Sequence, residues 1–470
     1  MISTLPVSNH KEPREVAQRG ADIPVCVPGS KRGADRNVCA TLIACSHSVL
    51  LAMAMVLSSA AMALDVGVGT ADITPDVKAF RVPMAGYGAR LGRPATGVHD
   101  PLEAKVLFLR EGAEVSVLVC CDLRSITPEF KQGVAERCAD LKLDANHLFL
   151  AASHTHDGPS MYPEKFWQMQ FGKYDPAIIG PMAAAVAGAI HDAAKNAAPA
   201  KLGFGEADAT GFVHNRRWGY DNDARKAAGE TPLTEPVVWM LRVDGMDGAC
   251  RAVLVNFACH PTILDADNML LSAEWPGVMR RELEKLMPGA KALFTNGGEG
   301  DQSPDGATGE SAFMKMEDYG TRLARLIAEK AKTIQTKPGL SAHCTRALAE
   351  LPPLSFPESA KGKIAKMAEA ATAALPRKAE IQMLRIGPAA LLGLPGEPIL
   401  AVAQAVRQAV QAAGIERAVP VGLANDYIGY IVNEKEYAHG GYEVESRSYY
   451  GPRLGAFMTE QAGALAKTVK

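Results

Sequence analysis

Five strand-like segments of this 470-residue chain end in side chains able to do chemistry. The first, Asn146–Ala152, runs into Ser153-His154-Thr155-His156-Asp157-Gly158-Pro159. Two histidines one residue apart at a strand end can face the same side, and Gly-Pro then turns the chain sharply. Imidazole is the commonest protein metal ligand, so this spacing suggests zinc; two surface histidines making ordinary hydrogen bonds are the plain alternative. The second segment, Ala252–Ala258, ends in Cys259-His260-Pro261-Thr262 and offers His260 as a third nitrogen ligand, against a satisfied core histidine. Cys259 would face the other way and is the weaker candidate. The third, from Leu293, enters Asn296-Gly297-Gly298-Glu299-Gly300-Asp301-Gln302-Ser303-Pro304. Glycines let backbone N–H groups converge, as an oxyanion pocket or a nucleophile turn requires. The pattern is neither a G-x-S-x-G elbow nor a P-loop, and a simple Gly/Asp turn is the alternative. The fourth, Leu391–Leu394, leads through Pro395-Gly396-Glu397-Pro398 into a helix. Glu397 stands at that helix's N-terminus, where a capping carboxylate alone contributes about 0.3–1 kcal/mol. The fifth, Val419–Leu423, precedes Asn425-Asp426-Tyr427-Ile428-Gly429-Tyr430, with Tyr437 and Tyr442 beyond. Tyrosine clusters ordinarily pack a core or wall a substrate.

The elements that position these residues alternate between two periodicities. Val115–Cys121, Val237–Val243, Ala252–Phe257 and Ala390–Leu394 are short apolar runs suited to buried strands. Pro181–Asn196, Met314–Lys332, Lys361–Ala374, Ile399–Ala413 and a final stretch, Ala456–Lys467, read as helices. Tyr220–Pro236 is a polar loop and Leu351–Ser359 a Pro-rich connection, and neither is a clear domain linker. No internal sequence repeat is visible. The expectation is one large α/β domain, residues 64–470, with a mixed β-sheet core flanked by helices.

Composition narrows the class. With 50 Lys+Arg against 52 Asp+Glu the net charge is −2, which argues against a nucleic-acid binder and against a polybasic membrane-surface protein. At 47% hydrophobic and 22% charged residues, a disordered chain is excluded. From Ala40 to Leu64 no residue is charged, Lys31, Arg32 and Arg36 lie just upstream, and the run closes on Ala61-Met62-Ala63. That order reads as an export signal cleaved after Ala63, with an uncleaved anchor or buried helix as the alternative, so the protein is expected in the periplasm or secreted. Leu42-Ile43-Ala44-Cys45 imitates a lipoprotein box, but the apolar run follows this cysteine instead of preceding it. Removal of residues 1–63 takes away six basic and four acidic side chains and leaves 44 against 48, a net charge of −4. It also leaves Cys120, Cys121, Cys138, Cys250, Cys259 and Cys344, with no C-x-x-C pair to support a thiolate cage or a thioredoxin-like motif. Cys120 and Cys121 are expected on opposite faces of one strand.

Taken in order, H-T-H-x-G-P, N-x-x-x-H-P-T, G-D-x-S-P, P-G-E and N-x-Y-x-x-Y resemble the neutral ceramidase family of secreted zinc amidases. The resemblance runs from Val66-Gly67-Val68-Gly69-Thr70-Ala71-Asp72-Ile73-Thr74 to about Gly451-Pro452. It implies zinc held by His154, His260, Glu397 and Tyr430, with His156 supporting the centre or handling protons. It places Arg216, in Asn215-Arg216-Arg217, and Tyr442 against the amide carbonyl or the substrate headgroup. Ser303 would lie beside the metal facing the scissile amide, either hydrogen-bonding the substrate or attacking it. The implied reaction is metal-assisted hydrolysis of an N-acyl amide, ceramide-like, to a fatty acid and an amine. The implied partner is a small-molecule or lipid amide, compatible with transient contact at a membrane surface.

Some positions depart from the family pattern. Ser160-Met161-Tyr162 follows the H-T-H motif where glycines are usual, and Asp305 replaces the Asn that ordinarily closes G-D-x-S-P. The resemblance implies a C-terminal immunoglobulin-like domain in the well-known ceramidases, and none is expected here after the helix-like stretch Ala456–Lys467. A shorter amide, an N-acyl sugar or amino acid, and a lipid ester therefore stay open as substrates, as does a non-catalytic exported binding module. Met161–Tyr174 holds Tyr162, Phe166, Trp167, Phe171 and Tyr174, either an apolar lip for an acyl chain or a loop packed on its own rings.

Overall fold

A meander of three strands, a helix, a fourth strand and a second helix recurs three times along the chain. The computed structural model describes residues 64–219, 222–358 and 368–469, so the export segment and the first half of the expected helix 361–374 lie outside the described residues, while Ala368–Ala374 is helical. Unit 1 comprises β1 (Asp65–Asp72), β2 (Glu103–Glu111), β3 (Glu114–Cys121), α1 (Pro128–Glu136), β4 (Leu148–Ala152) and α2 (Pro176–Lys195). Unit 2 comprises β5 (Ala198–Asp208), β6 (Val237–Gly245), β7 (Cys250–Phe257), α3 (Glu274–Leu286), β8 (Lys291–Asn296) and α4 (Ala312–Thr333). Unit 3 comprises β9 (Ala342–Glu350), β10 (Lys378–Ile386), β11 (Ala389–Gly393), α5 (Leu400–Ala412), β12 (Arg417–Val421) and α6 (Leu454–Thr468). In every unit the first three strands pair antiparallel, and the fourth pairs parallel with the third after the helical crossover. The repeat is one of topology, which is why no sequence repeat marks it.

Units 1 and 2 form one eight-stranded mixed sheet, β8-β7-β6-β5-β1-β2-β3-β4, joined where Asp65 and Val66 meet Pro199 and Ala198. Unit 3 forms a four-stranded sheet, β9-β10-β11-β12. The two faces of these strands go to different cores. On β3, Leu118 and Cys120 join an inner cluster with Phe149, Leu254, Leu293, Leu384, Leu391 and Val419, drawn from all three units. Val117, Val119 and Cys121 face outward, under the helices. The adjacent cysteines thus point to opposite faces, as the period of two requires. All six cysteines among the described residues are free thiols.

The helices cover the outer faces. α2 begins at Pro176, five residues before the expected start, because Asp175 caps Ala177 N at 2.9 Å and Pro176 takes the first helical position. Pro181 is therefore interior to the helix, not its start. α2 is apolar and long enough to cross a membrane by length and composition, but half of that stretch is buried inside the fold. It lies close on β1: a Cβ at Gly67 would fall 1.8 Å from Ala193 O, and one at Gly69 2.0 Å from Ala189 O. The Val-Gly-Val-Gly pattern is therefore a seat for this helix. The polar segment 220–236, expected as loop throughout, contains a short helix, Asn222–Ala227.

Candidate metal centre and active site

The loops after the third and fourth strands of all three units meet at one point. Past β4, Ser153 N bonds Cys121 O and His154 N bonds Leu123 O, each at 2.9 Å. His154 itself sits at φ 73°, a left-handed turn that swings the chain so that His154 and His156 enter the same buried space. Past β7, Cys259 N is held by Asn296 Oδ1 at 3.1 Å and His260 N by Gln302 O at 3.0 Å. Past β11, the two-residue strand Glu397–Pro398 pairs in parallel with Tyr430–Ile431, which sets Glu397 directly opposite Tyr430. Glu397 does not cap α5. The Leu400 amide at the start of that helix is capped by Asp301 Oδ1 at 2.9 Å, so Glu397 is free to face the histidines.

His154, His156 and His260 bring their ligand nitrogens within 4.8 Å of one another, all buried. His154 Nδ1 lies 2.7 Å from the Arg124 carbonyl, and His260 Nδ1 lies 2.7 Å from the Glu299 carbonyl. A carbonyl only accepts, so both Nδ1 atoms carry the proton and both Nε2 atoms present lone pairs. Those lone pairs meet Glu397 Oε2 at 3.2 Å and 3.3 Å. Burial, with neighbouring positive charge, lowers all three imidazoles, His260 to about 3 and His156 well below its ordinary value, so the rings are neutral. Burial opposes ionisation of Glu397, while the Arg124 guanidinium, 3.1 Å from Oε1, favours its carboxylate form. Neither Glu397 Oε2 nor His260 Nε2 has a hydrogen-bond partner among the described residues. The His154 and His260 lone pairs and the carboxylate oxygen face one another with no proton between them, while His156 Nε2 lies 3.2 Å from His154 Nε2; three such converging acceptors fit a divalent cation, and the N and O donors suit zinc.

The remaining expected residues line this point. Tyr430 is buried, and its phenol, pushed far up by burial and by Glu397, accepts from Arg216 Nη2 at 2.9 Å. Arg216 also donates to Gly300 O and to Glu443 Oε1, both at 2.8 Å, and its guanidinium lies 5.5 Å from the Tyr442 ring centre. Tyr442 is 44% exposed and marks the solvent side. Ser303 is half-buried on the strand Gln302–Pro304, beside the Gln302 carbonyl that takes the His260 amide. His156 packs edge-on against Tyr87, ring centres 4.7 Å apart, and its Nδ1 is buried without a partner among the described residues. Cys259 lies outside the cluster, its sulfur 3.4 Å from the Tyr319 hydroxyl.

Sequence reasoning missed Arg124, Tyr427 and Glu299. Arg124 and Tyr427 both bond Glu397 Oε1, at 3.1 Å and 2.6 Å. Glu299 is fully buried with both side-chain oxygens unpaired among the described residues, and burial together with Glu397 pushes its carboxyl well up. The only signal for Arg124 is positional: it follows β3 as His260 follows β7. The aromatic stretch is no exposed lip, since Tyr162, Phe166, Trp167 and Phe171 are all buried.

A buried, acceptor-only set of histidines and a glutamate at converging strand ends, with an arginine and tyrosines at its mouth, defines a hydrolase site on this fold. The chain matches the family described as "Neutral/alkaline non-lysosomal ceramidase, N-terminal" over residues 64–318 and 358–459. It belongs to that family and is a hydrolase acting on linear amide bonds. Among curated relatives, the neutral ceramidase of Mycobacterium tuberculosis is 24% identical, covering 84% of this chain and 75% of its own length. That of Pseudomonas aeruginosa is 25% identical over 88% of this chain and 72% of its own. The crystal structure of the Pseudomonas aeruginosa neutral ceramidase shares the fold, with a TM-score of 0.74 at 22% identity, covering 87% of this chain and 74% of that one. A ceramidase complexed with C2 superposes with a TM-score of 0.76, also at 22% identity, over 87% of this chain and 75% of that one.

Proposed function

We propose that this chain is an exported, zinc-dependent amidohydrolase that cleaves the N-acyl amide of a ceramide, releasing a fatty acid and a sphingoid base. The observation that carries the metal reading is the unpaired Glu397 Oε2 set against two Nδ1-protonated imidazoles. The ceramide assignment is supported by family membership, by relatives named neutral ceramidase, and by a fold neighbour complexed with C2. Export rests on the basic-then-apolar order ahead of Ala63.

His154, His260, Glu397 and Tyr430 would hold the ion, and zinc in such a site supplies Lewis acidity, polarising a carbonyl and acidifying a water. The residues around it divide the other tasks. His156, neutral and with an unpaired Nδ1, accepts a proton and returns it to the departing amine. Arg216, clamped by Glu443 and Gly300, presents fixed positive charge to the carbonyl oxygen, and Tyr442 adds a hydroxyl from the solvent side. Ser303 faces the scissile bond from the strand that anchors His260.

The test is metal content together with hydrolysis of a fluorogenic N-acyl sphingosine and of its ester analogue. One zinc per chain, activity abolished by a chelator and restored by zinc, and preference for the amide are expected. Full-rate hydrolysis by the metal-free protein would sink the mechanism, and a strong preference for the ester would overturn the substrate assignment.

A further inference from the structure

Arg124 stands three residues beyond the end of β3 at Cys121, as His260 stands three beyond the end of β7 at Phe257. Glu397 follows β11 in the same way, four residues past Gly393. The turn after each third strand thus delivers one long polar side chain to the common centre. The unit 1 side chain is a cation, which cannot be a ligand. It is 1% exposed and touches ligands on two sides. Its backbone carbonyl accepts from His154 Nδ1 at 2.7 Å. Its Nη2 donates to Glu397 Oε1 at 3.1 Å and to the Tyr427 hydroxyl at 2.7 Å. Tyr427 in turn donates to the same Glu397 Oε1 at 2.6 Å.

The carboxylate is therefore asymmetric: Oε1 receives two donors, while Oε2 receives none among the described residues and faces the imidazoles. A buried Arg–Glu pair is a weak stabiliser, because desolvation offsets most of the attraction. What this pair does is choose which oxygen of Glu397 is left bare. The guanidinium is itself held in place by rings. Its carbon lies 4.4 Å from the Tyr427 ring centre and 4.6 Å from that of Phe171, and Nη1 donates to the Tyr162 hydroxyl. Trp167 backs both tyrosines, with ring centres 5.5 Å from Tyr162 and 5.3 Å from Tyr427. The aromatic stretch 161–174 supplies most of this cage.

We propose that Arg124 is a positioning residue for the metal centre, one that orients His154 through its carbonyl and leaves Glu397 a single free oxygen through its guanidinium. This rests on the zinc reading above and extends it to residues that are not ligands. The test compares wild type, Arg124→Gln, Arg124→Lys and Tyr427→Phe by competition with a chromophoric zinc chelator, by the visible spectrum of the Co²⁺-substituted protein, and by kcat/KM. Loss of a supporting partner of a metal ligand ordinarily lowers affinity about 10–100-fold. Arg124→Gln is expected in that range with an altered cobalt spectrum, because Oε1 of Glu397 loses its charged donor and is held by Tyr427 alone. Arg124→Lys, which keeps the charge but reaches fewer acceptors, and Tyr427→Phe are expected to lose less, with spectra between the two. Wild-type zinc affinity and an unchanged cobalt spectrum in the folded variants would overturn the proposal. Should Arg124→Gln fail to fold, the same outcome in Arg124→Lys and Tyr427→Phe overturns it equally. If wild type itself binds neither zinc nor cobalt, the metal centre is refuted and this role with it, whereas a metal-binding wild type with indifferent variants refutes the role alone.

Discussion

Replacing Asp301 by alanine should cost little stability and much activity. Asp301 Oδ1 caps α5 at Leu400 N, 2.9 Å away, and receives Gln302 Nε2 at 2.8 Å; Oδ2 receives Asn215 Nδ2 at 2.9 Å. Its carbonyl accepts the Arg216 amide at 2.9 Å. Losing the cap costs about 0.5–2 kcal/mol. The two side-chain amides contribute about 0.5–1.5 kcal/mol each. Neither amide is orphaned, because both still reach the Leu233 carbonyl, at 3.0 Å and 3.2 Å. Relief from burying a carboxyl that burial pushes up offsets part of the loss. The net is about 1–3 kcal/mol. Unfolding entropy of about 2.1 cal/mol/K per residue over roughly 400 residues is about 0.8 kcal/mol/K, so Tm should fall by about 1–4 °C. Activity is a different matter, since Glu397 lies three residues before the helix start that Asp301 holds. A displacement of about 1 Å at a catalytic group can cost about 100-fold. Thermal melting of the zinc-loaded protein, run beside kcat/KM on a fluorogenic N-acyl sphingosine, measures both. Asp301→Asn should fall between, because it keeps Oδ1 but sets an amide donor against Asn215. An Asp301→Ala protein with wild-type Tm and wild-type kcat/KM would refute this account of the loop.

Stripping zinc should abolish hydrolysis and lower Tm; at free zinc about 1,000 times Kd the ion stabilises by about 4 kcal/mol, or about 5 °C on the same entropy. A melting curve indifferent to zinc counts against the site. Ser303→Ala should lower kcat by at least about 100-fold with KM little changed, as for a group acting at the scissile carbonyl. A near-normal single-turnover rate would remove Ser303 from the chemistry. Trp167→Ser should destabilise the fold by about 3–5 kcal/mol, since this ring is buried against Tyr162, Phe166 and Tyr427, and should impair long-chain and short-chain amides alike. Selective loss on long-chain amides would restore the reading of this stretch as an acyl-chain lip.

Strands whose apolar runs are unbroken, such as β3, β6, β7 and β11, were legible because both of their faces are buried. α4 and α5 were legible through their 3.6-residue period. α3 was not read from the sequence: it carries Pro276 and Gly277 in its first turn, where a proline gives up no needed donor. The site was legible where a short motif holds the chemistry, as in His154-Thr155-His156 and His260-Pro261. It was illegible where a residue acts through contacts far along the chain. Arg124 and Glu397 are 273 positions apart, and Tyr427 enters the same cluster from a third loop. Nothing in the local sequence of an isolated arginine says that it faces a carboxylate instead of solvent. Likewise, Glu397 and Asp301 are both carboxylates near the start of α5, and only geometry assigns the cap to Asp301 and the cluster to Glu397.

The threefold topology explains why so few residues suffice for the centre. Each fourth-strand end bonds the next unit: Ala152 N to Leu423 O at 3.2 Å, Gly422 N to Asn296 O at 3.1 Å, and Asn296 Nδ2 to Ser153 O at 3.2 Å. That closes a ring from unit 1 to unit 3 to unit 2 and back. The ring is tight as well as closed, because a Cβ at Gly422 would lie 2.4 Å from Glu299 Oε2 and 2.8 Å from Gly297 O. Inside it, unit 1 contributes His154 and His156, unit 2 His260, and unit 3 Glu397 and Tyr430. No single unit holds all of these residues, so an ion at the centre would require all three units to be docked. Binding is then coupled to docking of the units, and metal affinity and the cooperativity of unfolding should change together in any variant that loosens the ring.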